Sequence, residues 1–235
     1  VDQVTRQQML THLTQAATTT TTTHPTRIAI DGPPAAGKTT LADELATTLR
    51  THGHHVVRAT IDDFIHPRAH RYRNGEYSAE SCYHDAHDHH TLNRVLLDPL
   101  GPHGDRRFQH TIYDHATDTV LSPPATTATP NAILIFDGVF LLRPELIDRW
   151  DLRILVTTSP EQATERAVVR ERHAQSRAEV DRRWRERYIP AQQLYVATVD
   201  PARHADIIVH NDEPQMPILE AGGRGVLAID SPKQS

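Results

Sequence analysis

The sequence predicts an α/β fold of three layers, with a mostly parallel sheet between helices, and three observations carry that prediction. Short apolar runs alternate with segments of helical period along most of the 235 residues. The two clearest runs, "RIAID" and "AILIFD", each end in an aspartate. The first is followed at once by a glycine-bearing turn and an amphipathic stretch, which is how a βαβ unit begins. The length suits one such domain with a lid or tail and is too short for two full-sized enzymatic domains.

Met9, Leu10, Leu13, Ala16 and Ala17 fall near helical spacing, so a helix is expected from Thr5 to Ala17. The threonine run Thr18 to Thr23 and His24-Pro25 read as a flexible spacer, which makes residues 1–25 an N-terminal helix and linker. A strand at Arg27 to Asp31, a helix from Lys38 to about His52 and a strand at His55 to Ile61 come next. "DHHTLNRVLLDPL" reads as a helix stopped by Pro99, and "DRRFQHTIYDHATDTVL" as a β-hairpin standing apart on the substrate side. The loop "SPPATTATPN" leads to a strand at Ala132 to Phe136, followed by another at Leu152 to Thr157. An Arg-rich helical region runs from Pro160 to about Tyr195 with an interruption at Pro190, and residues 160–187 of it are expected to form a lid. The last strand is Ala205 to Val209; the main domain is then residues 26–212, with a tail at 213–235 that has no usable period.

The composition excludes several classes of function. A net charge of -5 supplies no global positive field for a nucleic-acid backbone. One cysteine, Cys82, rules out an intramolecular disulfide framework and any multi-thiolate metal site, which fits a reducing, cytoplasmic setting. No apolar run approaches the roughly 20 residues of a membrane span, and "VDQVTRQQML" lacks the basic start and apolar core of a signal peptide. The expected partner is a small molecule, and a homo-oligomer is left open. The 17 histidines cluster in loops and exposed helix starts, so a dedicated metal site is not expected from them.

The turn after the first strand is G-x-x-x-x-G-K-[ST], from Gly32 to Thr39, in the strand-to-helix context this motif requires. Gly32, Ala35, Ala36, Gly37, Lys38, Thr39 and Thr40 form the expected phosphate cradle: backbone N–H groups surround the oxygens, Lys38 reaches the terminal phosphates and the Thr39 hydroxyl ligates Mg²⁺. Lys38 is one of two lysines in a chain that writes its other cations as arginine, and a compact ammonium fits inside a ring of amides where a planar guanidinium does not. The three-layer fold is thereby that of a P-loop NTPase. Asp137 closes the apolar strand where a carboxylate holds Mg²⁺, and Asp62 closes a neighbouring strand where it can take a proton from an attacking hydroxyl. Arg166 and Arg170 are an i,i+4 pair of like charge with no acid three or four residues from either, so a bound polyphosphate would relieve their repulsion.

Together "IDGPPAAGKTTLADELA", "IDDFIHP", "HDAHD", "TIYDHATD", "ILIFDGVFLL", "ERAVVRE" and "HADIIVHN" resemble the uridine kinase and phosphoribulokinase-like branch of P-loop kinases, from about Arg27 to Asn211. The resemblance implies an ATP- and Mg²⁺-dependent phosphotransferase acting on a primary hydroxyl, most simply the 5′-hydroxyl of a nucleoside, with ATP or another NTP as donor. It implies Asp62 as general base, Lys38 and Thr39 at the phosphates and Mg²⁺, Arg166, Arg170 and Arg177 in the lid, and Tyr113 against a pyrimidine; Lys38 and Arg170 would then stabilise charge and Asp137 would hold the metal with Thr39. Asp137 stands where uridine kinases usually carry Glu, and two further positions depart from the family: its ribose-binding acid is Cys82 here, with Asp85 as the nearby substitute, and a base-reading histidine is Asp118. Those departures leave a different small alcohol, pantothenate-like or sugar-like, as an alternative acceptor. Competing classes are a nucleotide-binding regulator without turnover and a His-rich metallochaperone GTPase; the latter predicts an N-K-x-D motif, which the sequence lacks.

Overall fold

The computed structural model describes residues 1–173 and 175–225; residues 226–235 of the expected tail lie outside the described residues. Among the described residues seven strands form one sheet: Asp2–Gln3 (β1), Thr26–Asp31 (β2), Val56–Thr60 (β3), Ile133–Gly138 (β4), Leu152–Thr157 (β5), Ile207–His210 (β6) and Ile218–Ala221 (β7). Their order is β1-β7-β6-β5-β2-β4-β3. The five strands from β6 to β3 are parallel, β7 pairs antiparallel with β6, and β1 pairs antiparallel with β7. The strand β7 falls where the sequence shows no period, because its register, Ile207 opposite Ala221, is set by a partner and not by local pattern.

Alternation along the strands splits the core between two faces. Ile28, Ile30, Ile133, Ile135 and Ile154 pack with the helices Arg6–Thr19 (α1) and Lys38–Thr51 (α2). Ala29, Leu134, Phe136 and Leu155 face the other way, against Phe64, Trp150 and Tyr195. Thr5 caps α1 in a capping box with Gln8, and the helix runs two residues beyond the expected Ala17. Thr18 and Thr19 donate their hydroxyls to carbonyls one turn back, and Thr22 Oγ1 donates to His24 O at 2.5 Å, so the expected spacer is pinned at both ends. Among the described residues no helix is long and apolar enough to cross a membrane.

Three local expectations change. Asp62 and Asp63 sit on a 3₁₀ turn, Ile61–Phe64, because β3 stops at Thr60. The hairpin is two short ladders, Tyr113–Asp114 with Thr119–Val120 and Arg107–Phe108 with Thr126–Thr127; the second partner lies inside the supposed long loop. After β5 come the helices Pro160–Glu171 (α3) and Arg177–Arg183 (α4), a π turn at Trp184–Tyr188, and the helix Ile189–Val199 (α5). Pro190 does not interrupt the chain there: it lies in the first turn of α5, where a missing N–H costs little.

Candidate active site

The turn from β2 into α2 works only with glycine at two places. A Cβ at Gly32 would stand 2.1 Å from Val156 O, and Gly37 has φ +91° with Asn211 Nδ2 2.6 Å from where its Cβ would be. Asn211, just past β6, donates that Nδ2 to Ala36 O at 2.7 Å and so clamps the turn from the far strand. Below the turn Asp31 is fully buried and accepts from Tyr195 Oη at 2.6 Å and from Leu141 N at 3.1 Å. Burial pushes the Asp31 carboxyl up, while those hydrogen bonds draw it back down. The α2 N-terminus has no side-chain cap and no acid in its first turn. Its N–H groups therefore remain available to an anion.

Strand register brings the charged groups together. Asp137 lies opposite Ile30 on one side and Thr60 on the other, at the carboxyl ends of three adjacent parallel strands. Its side chain is buried; Thr39 Oγ1 donates to Oδ2 at 2.7 Å, and Arg58 Nη2 is 2.7 Å from Oδ1. The buried Lys38 Nζ donates to Pro33 O at 2.7 Å across the turn. Burial lowers its pKa, and Asp137, Asp31 and Asp62 oppose that shift. Asp62 is open to the cavity yet walled by protein on its other sides: desolvation raises its pKa first, and Lys38 pulls the other way. A raised pKa makes this carboxylate a stronger base. His115, carried by the short hairpin, places Nε2 2.6 Å from the Asp62 backbone carbonyl.

Lys38, Thr39, Thr40, Asp62 and Asp137 line one cavity of about 710 Å³, together with Ala35, Gly37, Arg166 and Arg170. Arg166 is fixed by Nη2 donation to Asn211 O at 2.7 Å and Asp212 O at 2.9 Å, and Arg170 rests on its neighbour Glu171 at 2.9 Å. Other expected residues do not reach the cavity wall. Arg177 pairs with Glu165 and lies 3.6 Å from Asp181. Tyr113 is buried, with its hydroxyl on Asp118 and its ring edge-to-face with His115. Asp85 is held by Arg73 at 2.6 Å and by Ser81 Oγ at 3.0 Å. Cys82 does line the cavity, buried, with burial raising its pKa.

Sequence reasoning missed Arg58, His115, Asn211 and Tyr195, which reach the site from distant elements. The nearest signal was the charge of Arg58 in an otherwise apolar strand.

A nucleotide's phosphates and a hard divalent cation fit these groups. The uncapped helix start, the buried ammonium and two arginines suit a polyphosphate. Thr39 and Asp137 offer two adjacent oxygens, enough for Mg²⁺ whose other ligands are phosphate and water. Among the described residues no three His, Cys, Asp or Glu side chains converge as a metal cluster.

No curated protein matches the chain by sequence. Among solved structures, a possible uridine kinase from Bacillus stearothermophilus is 25% identical, with 86% of this chain and 97% of that one covered at a TM-score of 0.68. D-glycerate 3-kinase from Cryptococcus neoformans shares the fold at 15% identity, with 92% and 98% covered and a TM-score of 0.62. The cytidylate kinase-like family matches residues 27–213, most of the chain and all of the cradle, Asp62 and Asp137. The chain belongs to the cytidylate kinase-like family, within the P-loop small-molecule kinases of the uridine kinase and phosphoribulokinase-like branch.

Proposed function

We propose that this protein transfers the γ-phosphoryl group of ATP to a hydroxyl of a small molecule. The observation that carries the reading is the convergence of Lys38, Thr39, Asp62, Asp137 and Arg170 on one cavity. ATP with Mg²⁺ supplies the phosphoryl group and neutralises part of its charge when bound. The acceptor oxygen forms a bond to the γ-phosphorus, the bond from that phosphorus to its bridging oxygen breaks, the hydroxyl proton passes to Asp62, and ADP leaves. Lys38, the α2 N-terminus, Arg166 and Arg170 stabilise charge on the transferring group and leaving oxygen. Thr39 and Asp137 would hold the metal.

A nucleoside 5′-hydroxyl is the acceptor the family resemblance offers. Its support within the cavity is thin, because Tyr113 is packed away from the wall, Asp85 is turned to Arg73, and Cys82 takes the place of an acid.

Asp62→Asn tests the reading. Acceptor-dependent ADP formation should fall by about 10²–10⁴-fold while calorimetric ATP affinity is kept, since the carboxylate acts on the acceptor proton. Turnover equal to wild type would remove Asp62 from the chemistry. ATP binding with no turnover by either protein would favour a regulator.

A further inference from the structure

Three guanidinium groups surround Tyr72, and two of them, Arg187 and Arg71, stand with it in the wall of the same cavity, while Arg68 lies outside it. Arg187 Cζ is 5.0 Å and Arg71 Cζ 5.2 Å from its ring centroid. Arg187 comes from the π turn ahead of α5 and is only 5% exposed. Its Nη1 donates to Glu76 O at 2.9 Å and Ser78 O at 3.0 Å. Its neighbours Arg183 and Arg185 pair with Glu179 and Glu186, whereas among the described residues Arg187 joins no ion pair. Arg71 donates Nε to His66 O at 2.7 Å, and Asp118, its carboxylate contact, is 3.9 Å from Nη2.

A buried charge is rarely left without a counter-ion, because desolvation costs far more than two neutral carbonyls return. The two carboxylates of this wall do not provide one: Asp137 pairs with Arg58, and the charges that act on Asp62 are those of Lys38, Asp137, His115 and Arg170. Cys82 lies against Arg187, but it is a buried thiol whose pKa burial raises more than Arg187 lowers it, so it stays neutral, and the buried His87 is held neutral by desolvation. The nucleotide's phosphates have their own cations in Lys38, Arg166 and Arg170, carried by the cradle and α3. A neutral acceptor would seal Arg187 away from water unpaired, and a carboxylate or phosphate ester would pair with it through two parallel hydrogen bonds.

We propose that the acceptor is an anionic alcohol, a hydroxy acid or a sugar or polyol phosphate, whose charged group is held by Arg187 and Arg71 beside Tyr72 while its hydroxyl is presented to Asp62. This rests on the kinase reading, and the test separates the two. ADP formation is measured with ATP and Mg²⁺ over matched sets: glycerol, glycerate and glycerol phosphate; ribose, ribonate and ribose phosphate; and uridine as a neutral nucleoside. Anionic members should exceed neutral ones in kcat/KM by about tenfold or more, and the carboxylate and phosphate arms show which anion is used.

Arg187→Gln should raise KM for the preferred anion by roughly 10- to 100-fold with KM for ATP unchanged. Arg187→Lys should recover part of the loss, and Arg71→Gln serves as a second variant in case Arg187→Gln does not fold. Neutral acceptors used as well as anionic ones, or an acceptor KM unmoved in both Gln variants, would overturn the proposal. If no acceptor yields ADP, the kinase reading fails, and calorimetry with glycerate and glycerol phosphate alone decides the anion site. Binding to wild type that is lost in Arg187→Gln upholds it, and no binding to wild type overturns it.

Discussion

A single phenol ties the floor of the cradle to the opposite layer of the fold. Tyr195 Oη donates to Asp31 at 2.6 Å and accepts from Leu142 N at 3.0 Å, all three groups being buried. Tyr195→Phe keeps the ring and strands both partners, so stability to urea should drop by roughly 1–3 kcal/mol. A loss within error would mean that Asp31 finds another donor. Lys38, Thr39 and Asp137 could be singled out in the sequence because a glycine-bounded turn and a strand end are local features, and Asp62 because the break after β3 is local too, although it proves to be a 3₁₀ turn. Arg187, Arg58 and Asn211 were not legible, because each acquires its role from a partner far away in the chain: Asn211 from Ala36, Arg58 from Asp137, Arg187 from Tyr72.

The same division holds among elements. The central strands were predicted to within two residues, since buried parallel strands are dense apolar runs with clear breakers. Pairings escaped prediction: β7 closes on β6 and the segment Thr126–Thr127 pairs with Arg107–Phe108, both through long-range register. Pro190 misled for a physical reason, because a proline in the first turn after a π turn breaks nothing. The helix α1 is packed into the core, with Met9 and Leu13 both 0% exposed in one cluster with Leu41, Leu45 and Leu49 of α2. Leu13→Ala should therefore cost about 2–5 kcal/mol in a denaturant titration. A cost near zero would mean that α1 contributes nothing to the stability of the sheet and α2.

At the scale of the whole molecule, a chain of net charge -5 encloses a cavity that concentrates cations, which suits an anionic donor on one side and, by the inference above, an anionic acceptor on the other. His87 in the cavity wall and the half-buried His89 beside it give stability a pH dependence. Desolvation holds His87 well below its ordinary 6.5 and His89 at about 4. The unfolded chain binds their protons first, so their penalty is absent above about pH 6.5, grows as pH falls, and stops growing for His89 near 4. Each histidine contributes a slope of at most about 1.4 kcal/mol per pH unit. Asp31 and Asp62, with raised pKa values, act in the opposite sense as they protonate. Comparing wild type with His89→Gln isolates the histidine: wild type should lose more stability between about pH 6.5 and 5. Parallel curves would show that the fold does not hold His89 as a neutral ring.

The most direct test of the central claim follows the phosphoryl group itself. ATP isotopically labelled in its γ-phosphoryl group is incubated with the enzyme, Mg²⁺ and the acceptor sets, and products are resolved by mass spectrometry beside Asp62→Asn. Label on an acceptor oxygen, formed by wild type and nearly absent with Asp62→Asn, is the predicted result. Label released only as inorganic phosphate, or transferred equally by both proteins, would contradict the account.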